Sequence, residues 1–171
     1  DIFGTFTRST TYMNRLANIW FVLLLVSGLV HGQTVFDPGD VAILGINANN
    51  GAACGGGNGE DYISFVCFKD LTNGTTLDIT DNGWQRLYAN FWGTTEGTIR
   101  ITRTGGTILA GTVITVAINQ NNVTGLSPDN NWSSVSLNGA FNNMNINTNG
   151  DQVFIMQGGS WSTSGTHYGS Y

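Results

Sequence analysis

The sequence predicts an all-β domain, a sandwich or barrel, behind a secretory leader. Three observations predict it. Seven or so short runs of β-branched and apolar residues recur between clusters of Gly, Asn, Asp and Thr. No helical period of ordinary length follows residue 33. The chain holds 24 glycines and only two prolines, and Lys is nearly absent, a balance of turn formers and strand formers rather than of helix formers.

The leader is the run MNRLANIWFVLLLVSGLVHGQ, from Met13 to Gln33. Arg15 supplies a positive start, Ile19 to Val26 an unbroken apolar core, and Val30-His31-Gly32 a cleavage-type ending. A spanning helix needs about 20 consecutive apolar residues, and this core breaks at Ser27-Gly28. Residues 13–32 are therefore expected to form a signal-peptide helix. Such a leader works at the N-terminus, so residues 1–12 are expected to lie upstream of the translated start. The chain to Tyr171 is expected to be a fragment of a longer precursor.

Composition narrows the partners. Arg8, Arg15 and Asp1 fall before residue 33, which leaves four of six basic side chains (Lys69, Arg86, Arg100, Arg103) and ten of eleven acidic ones. So few cations cannot neutralise a phosphate backbone, which excludes nucleic acid, or an anionic membrane surface. Membrane contact is expected only through the leader during export. Two cysteines remain, Cys54 in a Gly-rich loop and Cys67 in a strand. An exported chain with an even count permits a disulfide between them, worth about 3 kcal/mol on the chain-entropy account. The alternative is two separate thiols, one of them buried.

The strands follow in order. Val41 to Asn47 is a short apolar run ending in turn formers. Tyr62 to Phe68 is apolar on both faces except at Ser64, as a central strand would be. Thr75 to Thr80 alternates, with Leu77 and Ile79 on one face and Asp78 and Thr80 on the other, Asp78 being expected to face solvent. Asp81-Asn82-Gly83 turns the chain toward Trp84, which the tight corner is expected to drive inward. Thr98 to Arg103 places Ile99 and Ile101 inside, with Arg100 and Arg103 facing largely outward or lying at the strand end. Thr112 to Ile118 is a buried strand, and Asn119 to Asn131 a polar loop. Trp132 to Leu137 and Gln152 to Met156 complete the set.

The segments VAILGINANN, EDYISFVCFKDLTNGTTLDITDNGW, GTIRITRTGGTILAGTVITVA and FNNMNINTNGDQVFIMQGG, in that order, resemble the lamin tail domain family. The resemblance covers about 38–159, within the size of a single domain. It implies an immunoglobulin-like β-sandwich over residues 33–159, of the kind found in secreted bacterial surface proteins beside other domains and a sorting segment. It carries over no catalytic residue. Gly45 or Ile46 stands where the family has an acidic residue, and YANFWGTTEGT is this chain's own. Residues 160–171 are then a Gly/Ser-rich tail or the start of a continuation.

Candidate chemistry is sparse. His167 is alone in the tail, and Cys67 has no base nearby to activate it. Asp78, Asp81, Asn82 and Glu96 gather around the Trp84 loop. They can cap their own turn, bind calcium through several oxygens, or pair as glycosidase carboxylates. Calcium is the one cofactor considered; none is required. Trp84, Tyr88, Phe91 and Trp92 can close the end of a core or form a flat platform for sugar rings. The sequons at Asn73, Asn122 and Asn131 are taken as products of an Asn- and Thr-rich chain.

The expected function is a secreted, non-catalytic module for adhesion or protein interaction within a larger extracellular protein, its ligand a protein or glycan surface. The alternatives are a carbohydrate-binding module using the loop aromatics and an accessory domain of a secreted hydrolase. N-terminal sequencing of the exported product is predicted to begin at Gln33, after cleavage behind Gly32. A product that keeps Ile19 to Val26 in the membrane would show an anchor instead.

Overall fold

A computed structural model describes residues 32–48, 59–85, 91–93, 96–120, 122–137, 144–147, 149–158, 160–161 and 169–170. Residues 1–31, including most of the expected leader, lie outside them, as do Cys54, Tyr88 and His167. No helix occurs among the described residues.

The strands are β1 (Val41–Asn47), β2 (Asp61–Cys67), β3 (Thr76–Thr80), β4 (Trp84–Gln85), β5 (Phe91–Trp92) and β6 (Thr98–Arg103). They continue with β7 (Val113–Asn119), β8 (Asn122–Leu126), β9 (Trp132–Ser136), β10 (Phe154–Met156), β11 (Ser160–Trp161) and β12 (Gly169–Ser170). Two four-stranded antiparallel sheets carry the fold, ordered β1-β2-β7-β8 and β10-β3-β6-β9. A smaller sheet of two-residue strands runs β11-β12-β5-β4.

Period-two alternation explains why the two sheets form a sandwich. From β2 and β7, Ile63, Phe65, Ile114, Val116 and Ile118 turn to one side, with Phe65 opposite Ile114 and Ile63 opposite Val116. From β3 and β6, Leu77, Ile79, Ile99 and Ile101 do the same, with Ile79 opposite Ile99. All are buried in one core, which Met144 and Ile146 also enter. Each such side chain contributes about 1.5–3 kcal/mol relative to exposure. The all-β sandwich expected from the sequence is what the chain forms.

Sheet membership adds detail. Of the eight main strands, the first, second, fifth and sixth share one sheet, and the third, fourth, seventh and eighth the other. The constant-type immunoglobulin arrangement instead puts the fourth strand beside the fifth and the sixth across the sandwich. β8 was not legible as a strand, because it lies within the stretch expected to be a polar loop. It pairs with β7 through a tight hairpin in which Gln120 takes φ +54°, a conformation that non-glycine residues seldom adopt.

One expected orientation is corrected, and the environments of Arg103 and Cys67 are defined. Asp78 does not face solvent. It is buried between β10 and β6, and Arg100, its register partner, clamps it with Nε and Nη2 at 2.6 and 2.8 Å. Arg103 is buried at the end of β6, where it donates to Gly106 O at 2.8 Å and to both carboxylate oxygens of Asp129. Its hydrogen bonds hold the Asp129 carboxyl down at about 2. Gly105 is required beneath it, because a Cβ there would lie 2.5 Å from Asn131 Cβ and 2.8 Å from Arg103 Nη2. Cys67 faces the core as a buried thiol, and its expected partner Cys54 lies outside the described residues. Burial pushes its pKa up to about 11, with the Asp40 charge adding to the effect. It behaves as a small hydrophobe.

Residues 34–36 are tied to the body. Gln157 accepts from Phe36 N at 2.8 Å and donates to Thr34 O at 2.7 Å, and Thr34 Oγ1 donates to Asp70 O at 2.6 Å.

Candidate functional site

The segment Thr80-Asp81-Asn82-Gly83-Trp84 leaves β3 at one end of the sandwich. Three consecutive side chains, Thr80, Asp81 and Asn82, are fully buried there. Thr80 is the last residue of β3, and Asp81 and Asn82 lie beyond its ladder, so their buried polar groups turn toward neighbouring backbone.

Asn82 is the hub. Its Oδ1 accepts from Glu96 N at 3.0 Å, and its Nδ2 donates toward the carbonyls of Glu96 and Gly97 at 3.0 and 3.1 Å. Thr80 Oγ1 donates to Gly97 O at 2.6 Å and accepts from Thr98 Oγ1 at 2.9 Å. Asp81 uses both oxygens: Oδ1 accepts from Gly97 N at 2.9 Å and Oδ2 from Asn145 N at 2.8 Å. Asp61, at the start of β2, accepts from the next amide, Ile146 N, also at 2.8 Å. Two buried carboxylates thus hold successive parts of the 144–147 segment, and an amide holds 96–98.

These contacts decide the candidate residues. Asp81 and Asn82 do bind backbone through their side chains, but that of the distant segments at 96–97 and 145 rather than that of their own turn. Asp78 is engaged by Arg100 elsewhere on the sheet. Among the described residues no group of three or more His, Cys, Asp or Glu side chains is placed to hold a metal ion. The structure therefore does not bring Asp78, Asp81, Asn82 and Glu96 to one cation centre, where calcium would need six to eight oxygens.

The aromatics are likewise divided. Trp84 is 43% exposed, so the corner does not drive it inward; Asn82 takes the inward place. Trp92 is 6% exposed. The two are register partners of β4 and β5, with ring centroids 4.9 Å apart and planes at 76°. Trp92 also meets Phe154 of β10 edge-on at 4.7 Å. This is a plug of edge-to-face rings, not a flat platform. Tyr88 and the Phe91 side chain lie outside the described residues. Gly93 N donates to Gly83 O at 2.7 Å, closing the two short strands on each other.

Asp61 was missed as a structural residue, although alternation through Asp61, Ile63, Phe65 and Cys67 puts it on the inward face. The Arg103–Asp129 pair had no sequence signal, because it joins the end of a strand to a loop 26 residues on.

Asp81 gives the site its pH dependence. Burial pushes its carboxyl up to about 7, opposed by the backbone N–H bonds and assisted by the Glu96 charge. A folded pKa above the unfolded value means that the native state holds the proton more tightly. Its stabilising contribution is then complete below about pH 4 and is lost as pH rises toward 7. Chemical denaturation is predicted to show stability falling between pH 4 and 8 by on the order of 2–4 kcal/mol. Asp81→Asn is predicted to flatten most of that slope, with a residue left by Glu96, whose pKa is raised in the same direction. It should also cost about 1–3 kcal/mol at pH 5, because an amide nitrogen cannot accept from a backbone N–H. A wild-type profile that is flat or rising over this range would contradict the assignment.

No protein-family model, no curated protein and no solved structure matches the chain.

Proposed function

We propose that the chain is a secreted, non-catalytic β-sandwich module that mediates adhesion or protein interaction within a larger extracellular protein. The observation that carries this reading is the exposed apolar run on β1. Among the described strands β1 lies at the edge of its sheet, and Ile43, Leu44 and Ile46 stand exposed along it, Leu44 by 56%. An edge strand offers unpaired backbone N–H and C=O groups, and apolar side chains along it favour pairing with another chain. The immunoglobulin-like, lamin-tail-like assignment belongs to the same proposal. Its support is the quoted order of segments and the packing of two antiparallel sheets, while the sheet membership of the fourth and sixth strands differs as described.

Secretion rests on the leader motif, and the non-catalytic reading on how the carboxylates are spent. Asp61, Asp78 and Asp81 are each taken up by backbone amides or by an arginine, and Cys67 is a buried thiol with a raised pKa. The loop-aromatic sugar platform receives no support from two rings at 76°.

The test is retention of the full chain on the surface of producing cells. Wild type is expected to be exported and surface-retained. Leu44→Lys with Ile46→Lys should reduce retention at least fivefold while shifting unfolding free energy by no more than about 0.5 kcal/mol, as exposed positions do. Unchanged retention in the double variant would remove β1 as the contact. Hydrolytic turnover of an ester or glycoside that disappears in Asp81→Asn would replace the module reading with an enzyme.

A further inference from the structure

The outer face of the sheet β1-β2-β7-β8 carries a trough that the expected function did not use. Register fixes its shape. Tyr62, Ala117 and Gly125 are partners in one row across β2, β7 and β8. Side-chain height falls along that row from a phenol ring to a methyl to nothing, which leaves a step beside Tyr62 and open space over Gly125. The neighbouring row is hydroxylic. Ser64 Oγ lies 2.8 Å from Thr115 Oγ1, and Ser127 Oγ accepts from Thr115 N at 3.1 Å. At the other side, Tyr62 Oη donates to Glu60 at 2.8 Å. The trough is shallow and open to solvent, with a volume of about 370 Å³, and it adjoins a second open groove of about 240 Å³ between β8 and β9.

The chemistry of this lining selects a ligand. Among the described residues Glu60 is the one charged side chain on it. Its carboxylate accepts hydrogen bonds from Tyr62 and Thr124, which hold its pKa below the ordinary value and keep it ionised. Among the described residues no lysine or arginine lines either groove, and the protein's net charge is −5, so an anionic ligand is repelled. Hydroxyls, a carboxylate and the Asn130 amide offer both donors and acceptors, which an apolar ligand would leave unmatched. A phenol ring beside a small-residue floor gives an apolar wall for C–H faces.

We propose that this trough binds a neutral carbohydrate chain, with a sugar ring against Tyr62 and over Ala117 and Gly125, and its hydroxyls bonded to Glu60 and the Thr115 and Ser127 hydroxyls. The proposal goes beyond the adhesion reading: it adds a glycan site on a surface separate from the β1 edge, where that reading places pairing with another chain. It is a different surface from the Trp84 loop.

The test is calorimetric titration of the full chain with neutral hexasaccharides of cellulose, xylan, mannan and chitin, and with hexagalacturonate as the anionic control. At least one neutral oligosaccharide is expected to bind saturably, and hexagalacturonate is not. Gly125→Val should weaken binding at least tenfold by filling the trough. A Cβ at Gly125 would make only an ordinary contact with Ala117 Cβ, at 3.7 Å, so the branch of a valine starts from open space. Unchanged circular dichroism and unfolding midpoint check that the fold accepts it. Tyr62→Ala should also weaken binding at least tenfold, and Trp84→Ala should leave it within twofold. Absence of binding to all four neutral hexasaccharides, or binding that survives Gly125→Val, overturns the proposal. Surface retention lost in the β1 double variant without any saccharide binding would leave the adhesion reading standing and remove the trough. Saccharide binding without surface retention would do the reverse.

Discussion

The buried amide of Asn82 holds one end of this sandwich together. A primary amide has two donors and an acceptor with two lone pairs, and burial without partners would cost several kcal/mol. Here the acceptor takes Glu96 N and the donors face the carbonyls of Glu96 and Gly97. The cost of burial is thereby turned into a constraint. The segment before β6 cannot leave Asn82 without orphaning several polar groups at once. Thr80 and Thr98 extend the same network by hydroxyl bonds, so β3 and β6 are joined past the end of their ladder. Asp81 carries the constraint to Asn145, and Asp61 carries it from β2 to Ile146. Met144 and Ile146 then cover the core from a segment that has no strand ladder of its own.

This use of polar residues bears on function. Carboxylates that accept backbone amides inside a core are poor candidates for moving protons to a substrate, because their oxygens are already committed and screened from water. The same economy applies to Asp78 and Arg100, and to Arg103 and Asp129, whose pairing costs less than leaving the buried member of each pair, Asp78 or Arg103, alone. The proposed ligand contacts accordingly lie on the surface: the apolar edge of β1 and the hydroxyl-lined trough over β7 and β8. The two are separate in character, one suited to strand pairing and the other to a neutral polar chain.

Much of the architecture was legible in the sequence. Alternation located β2, β3, β6 and β7, since each presents two or three large apolar residues at period two. The polar interior was not legible, because the pattern that marks an inward face counts apolar residues and passes over Asp61, Asp78 and Arg103. Trp84 was misplaced for a related reason. A tight turn before a tryptophan suggests that the ring enters the core, yet three successive buried polar residues had already used that space, and Trp92 filled the rest. β8 was missed because Asn122 and Gly125 are weak strand formers held in place by β7. Strand parity through Ile63, Phe65 and Cys67 likewise accounts for the inward placement of the Cys67 thiol.

Native-state hydrogen exchange tests the central claim most directly. If the Asn82 network holds the end of the sandwich, the amides of Glu96, Gly97, Asn145 and Ile146 should be protected in the wild type, although none lies in a strand ladder. In Asn82→Ala the Glu96 and Gly97 amides should lose protection at least a hundredfold more than the Phe65 and Val116 amides in β2 and β7. Equal loss at all these positions, or retained protection at Glu96 and Gly97, would show that the network is not the constraint on which this end depends.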